Sequence, residues 1–237
     1  MANYLPIPRY NPGMRKTKIR GGILAVTVLA VLGAAFAGAI YWFSQPTKGA
    51  RITSYAKPRT AVLVVDMQED YTGPRAKLPY SHSETLVSRV NRVLEIAKRR
   101  GWDVVFIRNE VAAWNLGSRL ATRNTGVRGT PGAAVDARLL RPAGSVEVTK
   151  WKADAFSAWE LNELLVRRQV GILMVVGIDA AACAGATIRG ALNRGYAVTV
   201  PADCVATRLS RPLSVLLDDY RTAGAQVVMT AEELAGR

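Results

Sequence analysis

One histidine, His82, and two cysteines, Cys183 and Cys204, are all that this chain of 237 residues holds of those residue types. A single histidine excludes a His-rich metal site. His82, in Pro79-Tyr80-Ser81-His82-Ser83, reads instead as a helix-entry residue. Two cysteines are too few for a disulfide framework, and outside the cytoplasm the one bridge open to them is with each other. Residues 1–59 lack Asp and Glu altogether. That segment carries nine basic residues: Arg9, Arg15, Lys16, Lys18, Arg20, Lys48, Arg51, Lys57 and Arg59. Of the formal net charge of +14, this leaves +5 for residues 60–237, so the basic character belongs mainly to the N-terminal segment. No nucleic-acid motif and no aromatic-basic interleaving accompany it, which argues against nucleic acid as a partner.

What the N-terminal segment does have is an uncharged run. Residues 21–43 contain one polar side chain, Thr27, and close on Tyr41, Trp42 and Phe43. As a helix rising ~1.5 Å per residue, the run reaches roughly 35 Å, enough for a hydrocarbon core of ~30 Å, with interfacial aromatics at its end. Ala35-Phe36-Ala37 loosely resembles a signal-peptide cleavage site, but the run exceeds the roughly 7–15 residues of a signal-peptide core. The expectation is an uncleaved anchor over 21–43. Arg15, Lys16, Lys18 and Arg20 then put the N-terminus in the cytoplasm and the bulk of the chain outside it, as in a single-pass protein of the bacterial inner membrane. Residues 1–20, with Pro6, Pro8 and Pro12, read as an irregular basic tail. Residues 44–59 read as a polar, basic linker, and 60–237 as one folded domain.

Within that domain, β-branched and apolar runs at 61–65, 103–107, 146–149, 172–176, 197–200 and 226–229 read as strands. Amphipathic stretches at 83–100, 156–168, 183–194 and 212–223 read as helices. The alternation predicts a three-layer α/β/α, Rossmann-like fold with a mostly parallel six-stranded sheet. In such sheets ligands bind beyond the carboxyl ends of the strands. Asp66 ends the first strand, Lys150 follows the third, and Cys183 lies just past the fourth at a helix start. Unpaired N–H groups and the positive dipole end of that helix are expected to lower the thiol's pKa and favour the nucleophilic thiolate. A cysteine, a carboxylate and an ammonium at one sheet edge suit nucleophilic attack on a carbonyl, with the carboxylate moving the proton.

The residues around these three resemble a known family. Asp66-Met67-Gln68-Glu69-Asp70-Tyr71 is similar to the D-x-Q-x-D-F segment of the isochorismatase-like cysteine hydrolases, relatives of nicotinamidase and N-carbamoylsarcosine amidase. Lys150-Trp151-Lys152-Ala153-Asp154-Ala155-Phe156 resembles their K-x-R-x-S-A-F segment, and Gly177-Ile178-Asp179-Ala180-Ala181-Ala182-Cys183 their G-V-x-T-x-x-C segment. The resemblance covers roughly residues 58–235. It implies Cys183 as nucleophile, Asp66 as general base and Lys150 as charge partner. It also implies an oxyanion hole from the N–H groups of Ala182 and Cys183, and a non-proline cis peptide between Ile178 and Asp179. Tyr71, Trp114 and Trp151 are expected as pocket walls.

By the same resemblance the substrate is a small amide, ureide or carbamoyl compound. Presence of Cys183 favours C–N cleavage over the vinyl-ether hydrolysis of the isochorismatase branch, which typically lacks that cysteine. No cofactor is expected, since the metal site of the nicotinamidase branch needs histidines this chain does not have. A homo-oligomer is implied by the resemblance alone. Three positions depart from the family pattern: Ala180 for threonine, Asp179 for a small residue and Asp154 for serine. They motivate an alternative expectation, a catalytically weakened domain serving as a subunit of a membrane complex.

Overall fold

The computed structural model describes residues 12–230 and Glu233, with side chains from Thr27 onward. The chain divides into two units, one ending at Phe43 and the other beginning at Ser44. The first is built on helix α1 (Pro12–Ser44), so helix begins within the stretch expected to be irregular. Pro12 opens it, a position where the missing proline N–H costs nothing; Pro6 and Pro8 lie outside the described residues. Thr27–Ser44 is long and apolar enough to cross a membrane. Its large side chains, Leu29, Leu32, Phe36 and Trp42 among them, are exposed along the helix.

In the second unit the six expected strands all form: β1 (Arg59–Val65), β2 (Asp103–Asn109), β3 (Val146–Lys150), β4 (Val170–Ile178), β5 (Ala197–Pro201) and, last in the chain, β7 (Gln226–Val228). A seventh, β6 (Val205–Ala206), pairs with the end of β4 and is too short to show any periodicity in sequence. The sheet runs β3-β2-β1-β4-β5-β7 and every pairing is parallel.

The helices follow from apolar spacing and cover both faces. Helix α2 (Ser83–Arg100) packs Leu86, Val90, Val93, Leu94 and Ala97 on one face, against Val62 and Val64 of β1. Helices α4 (Trp159–Arg167), α5 (Cys183–Asn193) and α6 (Leu213–Thr222) cover the other, where Ala61, Leu63 and Val65 point. Alternate β1 side chains thus feed two separate cores, as the two-residue period of a strand requires. His82 occupies the N-cap position of α2 without a side-chain capping bond. The long connection after β2 contains one short helix, α3 (Leu116–Ala121).

Within residues 44–59, Ile52 donates its N–H to Arg194 O at 2.8 Å and packs against the α4–α6 core.

Candidate active site

Three strand ends supply the site. Asp66 is the first residue past β1 and adopts a left-handed backbone (φ 52°), a conformation costing a non-glycine residue roughly 1–2 kcal/mol. Gln68, fully buried, fixes this turn: its amide donates to Asn109 O and Ala133 O, and its oxygen accepts from Asn109 N. The glutamine of the D-x-Q segment therefore ties the end of β1 to the end of β2, where Asn109 pairs in register with Lys150 of β3. Lys150 is brought beneath the same edge and buried completely.

There Lys150 Nζ lies 2.9 Å from Asp66 Oδ2 and donates to Cys183 Sγ at 3.3 Å. The other carboxylate oxygen, Asp66 Oδ1, is buried with no hydrogen-bond partner among the described residues. Burial alone would push the Lys150 ammonium down, but the Asp66 carboxylate and Cys183 more than offset it and hold the lysine above its usual value. It is charged at any physiological pH.

Cys183 behaves otherwise than expected from its place at a helix start. Burial pushes its thiol up to about 12, with Lys150 acting against that rise and the Asp66 carboxylate adding to it. Desolvation of this half-buried group works against the nearby positive charge and favours the protonated thiol. The bridge to Cys204 does not form; both cysteines are free. Cys204 is buried in the α2 core while Cys183 packs against the opposite one, so the sheet lies between them.

The Ile178–Asp179 peptide is cis. After it the chain folds back so that Ala182 N and Ala184 N both donate to Asp179 O at 3.0 Å. The Ala182 N–H is thereby engaged. The Cys183 N–H between them has no partner among the described residues and is the open donor of the two assigned to an oxyanion hole. The Asp179 side chain is not loose beside the thiol. It accepts from Tyr80 Oη (2.9 Å), Thr207 Oγ1 (2.9 Å), Arg208 N (3.0 Å) and Ala181 N (2.7 Å), and so latches the segment after β6 onto the start of α5.

These groups line a cavity of about 180 Å³ formed by Asp66, Tyr71, Tyr80, Asn109, Ile178, Asp179, Ala182, Cys183, Arg208 and Leu209. It is smaller than the roughly 300–1,000 Å³ of sites for drug-sized ligands and suits a molecule of few atoms. Larger hollows, of 560 Å³ along α2 and 440 Å³ at the opposite sheet edge near Arg59 and Asp103, contain no thiol.

Of the expected walls, Tyr71 lines the cavity, and burial raises its phenol above the usual value. Trp114 and Trp151 do not line it. Trp114 precedes α3 and is 83% exposed; Trp151 is 56% exposed and turned to donate Nε1 to Ser157 O. Sequence reasoning missed Tyr80, Asn109, Arg208 and Leu209. Tyr80 is pushed well above an ordinary phenol by burial and by Asp179, and stays neutral. The Arg208 guanidinium stands over the Tyr80 ring at 5.6 Å and makes no ion pair among the described residues. Three arginines from the β2–β3 connection, Arg119, Arg123 and Arg128, are not in the cavity; Arg119 and Arg128 bond within their own loop, to Asn124 and Glu110. Among the described residues no cluster of His, Cys, Asp and Glu is arranged to hold a metal ion.

Residues 60–233 match the family model described as "Isochorismatase domain". N-carbamoylsarcosine amidase from an Arthrobacter species is 25% identical over 162 residues, 64% of this chain but only 61% of that protein's length. Maleamate amidohydrolase of Pseudomonas putida is 29% identical over 190 residues, 78% of this chain and 88% of the relative. Among solved structures, an isochorismatase family protein from Desulfovibrio vulgaris superposes with a TM-score of 0.68 at 26% identity, covering 76% of this chain and all of the other.

Proposed function

The chain belongs to the isochorismatase family, and on that premise we propose that it is a membrane-anchored hydrolase cleaving a C–N bond of a small amide, ureide or carbamoyl compound through a thioester on Cys183. The observation that carries this reading is the Lys150 ammonium in contact with both the Asp66 carboxylate and the Cys183 sulfur. A buried ion pair alone has no need of a thiol; this one shares its cation with the thiol at the mouth of a small cavity.

Asp66 is the general base and Lys150 the group that keeps it anionic. As the sulfur adds to the substrate carbonyl, its proton passes to the unpartnered Asp66 Oδ1 and the carbonyl electron pair moves onto oxygen. The Cys183 N–H receives that oxyanion, and Ala182 joins it by releasing Asp179 O; one such donor is worth roughly 3–4 kcal/mol where measured. Collapse expels the amine, which takes the proton back from Asp66 and leaves a thioester. Water, deprotonated by the same carboxylate, adds to the thioester; the C–S bond breaks and the sulfur recovers its proton. A thiol raised to about 12 fits this order of events, because proton removal accompanies attack rather than preceding it.

Two further features narrow the substrate. The cavity admits a small molecule, and Arg208 puts a guanidinium at its rim with no carboxylate of its own to hold. A substrate with an anionic end opposite its amide would bind there. Both named relatives act on amide-type substrates, N-carbamoylsarcosine and maleamate.

The exposed apolar helix over Thr27–Ser44 supports anchoring by residues 21–43, and Arg15, Lys16, Lys18 and Arg20 before it support a cytoplasmic N-terminus with residues 60–237 as the hydrolase domain on the other side. The function is tested by incubating the full chain with small amides, ureides and carbamoyl acids while following released amine or ammonia. Acid quenching should trap an acyl adduct whose mass maps to Cys183. Turnover that survives Cys183→Ala would overturn the assignment.

A further inference from the structure

Asp154, where the family pattern has serine, is fully buried and is not part of the cavity lining. Its Oδ2 accepts from both Thr47 N and Thr47 Oγ1 at 2.6 Å, and its Oδ1 accepts from Phe156 N at 2.9 Å. The loop it belongs to starts at Lys150. One residue on, Ala155 N donates to Thr187 Oγ1 at 3.0 Å, and that hydroxyl donates to Cys183 O at 2.8 Å. An unbroken run of bonds therefore leads from Thr47 through Asp154 and its loop to the first turn of α5.

The same strap is gripped at the other end of α5. Arg194 is 5% exposed, stacks over the Phe156 ring at 4.6 Å, and donates to Thr47 O (3.1 Å) and Lys48 O (3.4 Å). Asn193 also reaches Thr47 O, and Ile52 closes the strap on Arg194 O. Two glycines make room for these contacts. A Cβ at Gly190 would fall 2.2 Å from Asp154 Oδ2, and one at Gly49 would fall 2.7 Å from the Arg194 guanidinium.

We propose that Thr47, acting through Asp154, is a positioning residue for the site: the strap formed by residues 47–52 holds the Lys150 loop and the Cys183 turn in register. The proposal rests on the reading of Lys150 and Cys183 as reacting groups. It gives the serine-to-aspartate departure a cause, since a carboxylate can accept both donors of Thr47 while still bonding Phe156 N. It also moves the functional boundary of the domain upstream of residue 60.

The test uses the full chain in detergent with Thr47→Ala and Thr47→Ser, read by amide hydrogen exchange and by the pH profile of Cys183 alkylation. Losing the Thr47 Oγ1 bond to Asp154 should speed exchange across residues 151–157 and 183–188 by about fivefold or more in Thr47→Ala. The alkylation profile of Cys183 should shift in the same variant. Thr47→Ser, which restores the hydroxyl, should return both readouts to within about twofold of the parent. Unchanged exchange in Thr47→Ala overturns the proposal. Faster exchange with an unmoved alkylation profile overturns it too, because the strap would then be structural only. Failure to turn over any amide while both readouts shift would refute the hydrolase reading and leave the strap's positioning role supported.

Discussion

Lys150 reaches Asp66 at 2.9 Å with its own side chain wholly removed from solvent. Asp66 itself is buried to within a few per cent, at the floor of the cavity. Replacing Lys150 with Met should leave the Asp66 carboxylate buried and uncompensated, at a cost of about 3–5 kcal/mol in chemical denaturation. The double variant Asp66→Asn, Lys150→Met should recover most of that loss. Equal destabilisation in the single and double variants would mean that the pair is not coupled. Neither variant should turn over substrate.

The raised thiol of Cys183 gives a pH dependence with a definite sign. Its folded-state value of about 12 lies above that of an exposed thiol, near ~8.5, so the folded chain holds the proton more tightly than the unfolded chain. The resulting stabilisation is complete below roughly pH 8.5 and is lost as pH rises through the folded-state value. Between about pH 9 and 11 the parent should therefore lose stability more steeply than Cys183→Ala. Alkylation of Cys183 should rise about tenfold per pH unit from pH 7 to 10. A plateau near neutrality would show that the helix end and Lys150 outweigh burial after all.

Arg208 should act on binding more than on chemistry. Arg208→Met is expected to raise KM for amides carrying a carboxylate by about 10-fold to 100-fold, the scale of a lost charge-assisted hydrogen bond. For neutral amides KM should hardly move. Similar kcat for both classes would support the split, since a group bound equally in ground and transition states leaves kcat alone. Uniform loss across neutral and anionic substrates would instead assign Arg208 to holding Tyr80.

Gly190→Ala tests the close approach of α5 to Asp154. With only 2.2 Å to the carboxylate oxygen, the added methyl should destabilise by about 1–3 kcal/mol in thermal or denaturant unfolding. Adding Asp154→Ser should relieve much of that penalty, because the shorter side chain vacates the space. Additive effects of the two changes would rule out the contact.

Much of the site was open to reading because parallel strands deliver their ends to one edge. Asp66, Lys150 and Cys183 could be gathered from strand and helix periods alone, and the motifs around them named their family. Tyr80 and Arg208 could not. They come from irregular segments before α2 and after β6, whose paths are set by hydrogen bonds to Asp179 rather than by any period in the chain. Asp179 reads in the sequence only as a departure from the family's small residue, and its engagement by four donors becomes visible only once those segments are in place. The upward push on the thiol has a related cause. A helix start is local and legible, whereas burial is contributed by residues far along the chain. Trp151, next to Lys150 in sequence, and Trp114, in the long connection after β2, show the converse case: large aromatics that turn outward and line no part of the cavity.

The strap bears on how this protein can be handled apart from its membrane helix. A soluble fragment cut at residue 58, the boundary suggested by the family resemblance, would strip two of the three donors from Asp154 and two carbonyls from Arg194. Such a fragment leaves Asp154 Oδ2 and the Arg194 guanidinium without their partners on residues 47–48, alongside the loop that starts at Lys150. Expression work that keeps Thr47–Ile52 and discards only what precedes it retains those partners, and is the form in which a weak or absent activity would carry meaning.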